Sequence, residues 1–437
     1  MYDRPPPDRH VPGTGRDPQL GLADRAGIEH ALARMLERGP ATALVLLPTR
    51  FHELLAAIGR SRSDALLQAL AARLSHAAGP DAVVGRIAPA CFAVAIPDAP
   101  DDVERVERLI ATLDAPLIVD GVPYPVRAAA GSAVGPLDGD DAGQLLDRAE
   151  IALHSADGPH RRYHEGFERA ARHRLAVLSD LERALASGQL RLHFQPIIDI
   201  GTGAVDCVEA LVRWDHPVHG AMPPGMFIPL AEQTELIGPL TEHVLGLALD
   251  HCVAWREDGL PLTVAVNLSA RNVVDPALAG RVGEMLLVRG LDGSALKLEI
   301  TESVLMERQQ VAFTTLEALR GLGIKLALDD FGTGYSSLAY LQDLPIDEVK
   351  IDRSFVRLLG TSERSAAVLR AIVTLADDLE LRTVAEGVED PATLRLVTTL
   401  GCTLAQGFHF ARPLSPSGLR MWLTRRAAAQ VKLPLTG

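Results

Sequence analysis

Cysteine is scarce in this 437-residue chain, where Cys91, Cys207, Cys252 and Cys402 stand far apart. That scatter excludes a paired-thiolate zinc site and a dense disulfide framework, so all four are expected to be reduced and mostly buried. Aromatic residues make up 4% of a chain that is 47% hydrophobic, so its cores must be aliphatic. Basic residues are outnumbered 43 to 56, for a net charge of −13. Without a basic footprint, polymeric nucleic acid is excluded as the main partner, while a small phosphate ligand held through metal ions stays open. No apolar run approaches the roughly 18 residues that mark a membrane helix. Residues 1–20 are rich in proline and charge and lack an apolar signal core. A cytoplasmic protein with a disordered leader over 1–20 is the expectation.

What is present divides in two, as the length requires. Over 21–159, helical stretches alternate with apolar runs at 43–48, 83–96 and 124–135, the pattern of an α/β or α+β domain. Residues 160–188 read as one charged amphipathic helix linking it to the next domain. From 175 to 427 the rhythm becomes strand then helix, with eight strand-like segments: LRLHFQP, CVEALVRW, TVAVNLS, LKLEITES, KLALDDFG, EVKIDRSF, RTVAEGV and LAQGFHF. An α/β fold with a (β/α)8-type, TIM-like barrel follows, a doubly wound open sheet being the competing architecture.

Strand alternation sorts the polar residues. Val208, Ala210 and Val212 share one face, and Glu209 and Arg213 the other. Likewise Asn267, Glu299, Asp329 and Lys350 oppose Val, Leu and Ile neighbours, each near the C-terminal end of its segment, and Glu386 follows the same rule. Barrel enzymes place their chemistry at that end. Five carboxylates against one lysine and one arginine leave negative charge uncompensated, which divalent cations would supply. Oxygen ligands without His or Cys favour Mg²⁺ or Mn²⁺, and adjacent Asp329 and Asp330 suit two ions. Such a pair clamps phosphoryl displacement. Lys350 could position or deprotonate a water, or simply pair with Asp352 or another acid. Arg213 suits a phosphate oxygen or a rim ion pair.

Residues 175–425 resemble the EAL domain, the cyclic di-GMP phosphodiesterase family. Gln195-Pro196, EALVRW (209–214), FIPLAE (227–232), NLSAR (267–271), LEITES (298–303), DDFGTGYSSLAYL (329–341), VKIDRSF (349–355), VAEGVED (384–390) and QGFHFARP (406–413) occur in the family's order. The resemblance implies hydrolysis of cyclic di-GMP to linear pGpG, with two Mg²⁺ or Mn²⁺ ions on Glu209, Asn267, Glu299, Asp329, Asp330 and Glu386. It implies that Lys350 holds the water, that Gln195, Arg213 and Gln406 contact substrate, that Glu389 supports the second metal, and that Glu302 holds the loop 329–337. It also implies a homodimer. One departure is Glu235, where the family often has glycine.

The first domain is similar to a GGDEF domain with its signature erased: LGLADR (20–25) and LLDRAEIALHSADG (145–158) match its ends, while Ala88-Pro89-Ala90-Cys91-Phe92 stands where Gly-Gly-Asp-Glu-Phe would be. The metal-binding Asp of that family's first strand maps near Leu47, and its inhibitory Arg-x-x-Asp near Gly79 and Ala82. No cyclase activity is expected. The rival reading for the whole chain is a cyclic di-GMP receptor without turnover, which would usually lack some of the ligands; none is missing here.

Overall fold

The computed structural model describes residues 15–48, 58–97, 103–113, 115–155, 158–302, 309–332, 341–360 and 362–431, together with Leu54. The chain divides into two compact units, 1–175 and 176–437.

In the first unit, β1 (Ala41–Pro48), β2 (Val83–Ala88), β3 (Cys91–Pro97), β6 (Ala128–Gly135) and β7 (His160–Arg162) form a sheet in the order β2-β3-β1-β6-β7, and β4 (Leu117–Val119) pairs with β5 (Val122–Tyr124). Both faces of β1 are buried, which is why ATALVLLP reads as a continuous apolar run. Ala41, Ala43 and Val45 pack with Ile28 and Leu32 of helix Arg25–Leu36 and with Leu145 and Leu146 of helix Ala142–His154. Leu44 and Leu46 pack with Leu66, Leu70 and Leu74 of helix Arg60–Ala78. Asp24 and Asp141 cap two of these helices by accepting from Gly27 N and Gln144 N.

Two expectations change here. Residues 160–188 are not one helix: His160–Arg162 add a parallel strand beside β6, and the helix runs Glu165–Ser187. Edge pairing with a distant strand overrides local helical pattern. Of the leader, residues 1–14 lie outside the described residues, but Arg16 bridges Ala23 and Asp17 caps the turn that follows, so 15–20 are ordered.

In the second unit β8 (Leu190–Asp199), β9 (Val205–His216), β11 (Val264–Leu268), β12 (Leu296–Thr301), β13 (Lys325–Phe331), β14 (Glu348–Ile351), β15 (Arg382–Ala385) and β16 (Leu404–Gln406) close into an eight-stranded barrel, with β10 (Gly220–Met222) as a hairpin partner of β9. From β9 to β16 the barrel pairings are parallel, but β8 is antiparallel to both β9 and β16. A tight β8–β9 turn replaces the first helical crossover, since antiparallel neighbours need none. Outward-facing aliphatics such as Val208, Val266, Leu298, Leu328 and Val349 pack under the surrounding helices in one core. Inside, Ile197, Cys207, Ala265, Val384 and Leu404 form a small apolar plug. No helix among the described residues is long and apolar enough to cross a membrane.

Candidate active site

Above the plug, the strand ends bring one set of polar side chains together. Glu209 on β9 accepts from Asn267 Nδ2 on β11 (2.9 Å) and from Gln406 Nε2 on β16 (2.6 Å). Gln406 also reaches Gln195 Oε1 on β8 at 3.4 Å, and Gln195 Nε2 donates to the Ala411 carbonyl at 3.0 Å. Lys350 on β14 is fully buried, its Nζ 2.7 Å from Glu299 Oε2, 2.8 Å from Glu386 Oε1 and 3.1 Å from Asp329 Oδ1. Lys350 thus pairs with three neighbouring acids, Glu299, Asp329 and Glu386.

Simple alternation would turn Asp330 away from Asp329. The β13–β14 register shifts between Leu328 and Phe331, and Asp330 adopts φ 54°, a left-handed conformation uncommon outside glycine. The bulge re-aims the second carboxylate, so that oxygens of Asp329, Asp330 and Glu386 lie within 4.8 Å of one another. The backbone N–H of Asp330 donates to Asp329 Oδ1 at 3.0 Å. Strain held at one residue here serves the geometry of the cluster. Gly407, next to Gln406, is required by close approach: a Cβ there would lie 2.1 Å from the Val388 carbonyl oxygen, in the segment that follows Glu386.

The electrostatics are those of a cluster short of positive charge. Burial, opposed by Lys350 but reinforced by Glu209 and Asp329, pushes the Glu299 carboxyl well above the usual carboxylate range. Burial and neighbouring acids push Glu386 to about 7 and raise Asp330 as well. Lys350, despite burial, is held well above its ordinary value by Glu209, Glu299, Glu386 and Asp329, so it stays charged.

Because the folded pKa of Glu386 lies above its ordinary 4.5, its proton contributes stability that is full below about 4.5 and lost as pH rises through about 7. In the metal-free protein, the melting temperature of the wild type relative to Glu386→Gln should therefore fall by a few degrees between about pH 5 and pH 8. Thermal melts in chelator measure it, and a constant difference across that range would mean that burial does not raise the Glu386 carboxyl.

Two oxygens test whether cations fit. Glu299 Oε1 and Gln406 Oε1 are buried without a hydrogen-bond partner among the described residues. Orphaned acceptors in the wall of an acid-lined mouth are what a bound cation satisfies, and the all-oxygen donor set suits a hard one.

The remaining predicted residues are placed differently. Arg213 lies half-buried four residues above Glu209, donating to the Val212 carbonyl, with burial lowering its pKa. Glu302 is partly buried, and its carboxylate has no hydrogen-bond partner among the described residues. Of the loop 329–337 assigned to it, residues 333–337 lie outside the described residues. Glu389 is exposed and is not brought into the cluster. Glu232, the last residue of FIPLAE, joins the site although strand alternation does not point to it. It lines a cavity of about 260 Å³ with Leu211, Ile228, Thr241, Asn267 and Ser269, and burial raises its pKa. The signal was available: an acid closing the apolar helix Pro224–Glu232.

Residues 178–413 match the EAL domain family, and residues 15–162 match the diguanylate cyclase GGDEF domain family. The chain belongs to the EAL domain family. Similar to this EAL chain is the cyclic di-GMP phosphodiesterase PA2567 of Pseudomonas aeruginosa, 33% identical over 422 residues, 94% of this chain and 71% of that protein. The cyclic di-GMP phosphodiesterase NbdA of the same organism is 36% identical over 420 residues, 93% of this chain and 54% of its own length. Among solved structures, the PaMucR phosphodiesterase in its c-di-GMP complex aligns with a TM-score of 0.54 at 44% identity, over 56% of this chain and 99% of that one. This EAL chain spans about half the length of several curated relatives it matches.

Proposed function

We propose that this chain hydrolyses one phosphodiester of cyclic di-GMP to linear pGpG in the bacterial cytoplasm, using two Mg²⁺ or Mn²⁺ ions. The observation that carries the reading is the acid-rich mouth itself: Glu209, Glu299, Asp329, Asp330 and Glu386 converge around a single buried lysine. Those acids and Asn267 would hold the ions. Bound there, divalent cations supply the missing positive charge, stabilise a phosphate and lower the pKa of water.

The chain's own residues do the rest. Lys350 remains an ammonium among three carboxylates, which favours holding the attacking water over deprotonating it. Arg213 offers a fork to a phosphate oxygen. Gln195 and Gln406 present amides at the seam of the barrel, and Glu232 offers a base-edge acceptor in the adjoining cavity. Glu389, exposed and outside the cluster, would support the second ion through its water network, Glu302 would hold the loop over 329–337, and the working form would be a homodimer.

Purified protein incubated with cyclic di-GMP and Mg²⁺ or Mn²⁺ should yield pGpG, followed by chromatography. Binding without pGpG would replace this reading with that of a receptor.

No cyclase activity is proposed for the first unit. The turn joining β2 to β3 carries Pro89 and Ala90 in place of paired glycines and acids, and Arg86 Nε donates to the Pro89 carbonyl at 3.1 Å while its NH1 reaches Gln19 at 2.7 Å. Neither turn residue offers a carboxylate for Mg²⁺-GTP, and the nearby Asp17 is paired with Arg86 at 3.5 Å. Calorimetry with GTP on the whole protein should show no binding in the micromolar range, and a micromolar Kd would overturn the statement.

A further inference from the structure

Below the apolar plug lies a second charged group that the proposed chemistry does not use. Lys297 on β12 is 1% exposed, and its Nζ lies 2.6 Å from Glu348 Oε2 on β14 and 3.2 Å from Asp206 Oδ2 on β9. Arg382 on β15 binds Asp206 through two contacts, 2.7 and 3.2 Å, and also pairs with Glu348. Two cations meet two carboxylates, so this layer is neutral by itself. Its carboxylate behaves accordingly: although burial opposes it, Arg382 and Lys297 hold Asp206 at about 2, opposite in direction to the acids of the mouth.

The order of charges along the strands is informative. β12 reads Lys297 then Glu299, and β14 reads Glu348 then Lys350, on the same inward faces. Two antisymmetric pairs result, Lys297–Glu348 at 2.6 Å and Glu299–Lys350 at 2.7 Å. Glu299 and Glu348 are both level with Ala327 of the intervening β13, so each pair spans the same two-residue offset. Closing a tilted eight-stranded barrel demands a stagger of about one residue per strand, which gives that offset across two strands. Ala327 presents only a methyl group between them, leaving room for the charges to meet. A strand can slip only by an even number of residues without turning its faces inside out. Sliding β14 by two in one direction sets Glu348 against Glu299, and in the other sets Lys350 against Lys297.

We propose that Lys297 and Glu348 are positioning residues, forming the lower rung of a charge ladder that fixes β14 against β12 and so holds Glu299 and Lys350 in place at the mouth. The proposal rests on reading Glu299 as a metal ligand.

The test uses the full chain and Mn²⁺ affinity by calorimetry, alongside melting temperature and pGpG formation. In Lys297→Met/Glu348→Leu, Arg382 and Asp206 keep each other and no buried charge is orphaned, so melting should stay within a few degrees of wild type. The Mn²⁺ Kd should nevertheless rise at least tenfold, with kcat falling in parallel. Glu348→Gln, which keeps the shape, should weaken Mn²⁺ about threefold, and it serves if the double variant does not fold. Wild-type Mn²⁺ affinity in whichever of these folds overturns the ladder, because a merely structural pair would change melting alone. A wild type that binds Mn²⁺ without forming pGpG removes the proposed hydrolysis and leaves the ladder to be judged on affinity. A wild type that binds no Mn²⁺ overturns both.

Discussion

Lys350→Ala should lower turnover of cyclic di-GMP by about 10²–10⁴-fold, the range expected when a side chain that handles the attacking water is lost. Substrate binding should persist, because Arg213, Gln195 and Gln406, the proposed substrate contacts, are untouched. The geometry makes a further demand. Lys350 Nζ is shared by Glu299, Asp329 and Glu386, so removing it leaves one fully buried acid and two partly buried ones with no cation between them. The metal-free variant should lose stability, as breaking a buried ion network by deleting one partner does. Mg²⁺ should restore more of it than in the wild type. Single-turnover pGpG release, equilibrium nucleotide binding and melts with and without Mg²⁺ read these three effects. Retained hydrolysis at neutral pH would remove Lys350 from the mechanism.

Glu209→Gln should behave in the opposite way. Glu209 is held at both oxygens, by Asn267 and Gln406, and is nearly buried. An isosteric amide removes one negative charge from a cluster that has too many, and its NH2 group finds an acceptor once Gln406 turns its unpartnered Oε1 toward it. The metal-free protein should then melt a few degrees higher than wild type, while Mn²⁺ affinity and turnover fall together, turnover by about 10³-fold or more. Calorimetric Mn²⁺ titration and melting curves decide. If wild type and variant gain equally from Mn²⁺, Glu209 is no ligand, and if neither gains anything, the acids of the mouth serve another purpose.

Much of this site was legible because strand periodicity is strict: once Val208, Val266, Leu298 and Val349 were assigned to the core, Glu209, Asn267, Glu299 and Lys350 had to face inward. The barrel was legible from the count of eight strand-like segments with helical connections, but an open sheet competed until the pairing of β8 with both β9 and β16 closed it. Asp330 was harder, since alternation alone points it outward, and only a bulge with a left-handed residue, invisible in composition, brings it back. The antiparallel direction of β8 was also hidden, because alternation has no sense of direction. Lys297 and Glu348 escaped notice since a charge at the start of a strand ordinarily faces solvent. Their partners lie 91 residues away or at another strand's start, and no local pattern announces such contacts. The strand His160–Arg162 was missed because its pairing with β6 is equally non-local.

The reversed direction of β8 has a practical consequence. Leu190, where the strand begins, pairs with Trp214 near the mouth, and Asp199, where it ends, pairs with Leu404 near the floor. In a barrel of eight parallel strands the chain would enter at the floor, remote from the chemistry. Here it arrives at the rim, five residues before Gln195. Any tag, truncation or fusion placed just upstream of Leu190 is thus an alteration at the lip of the acid-lined mouth, and constants measured on an isolated barrel would belong to that altered lip.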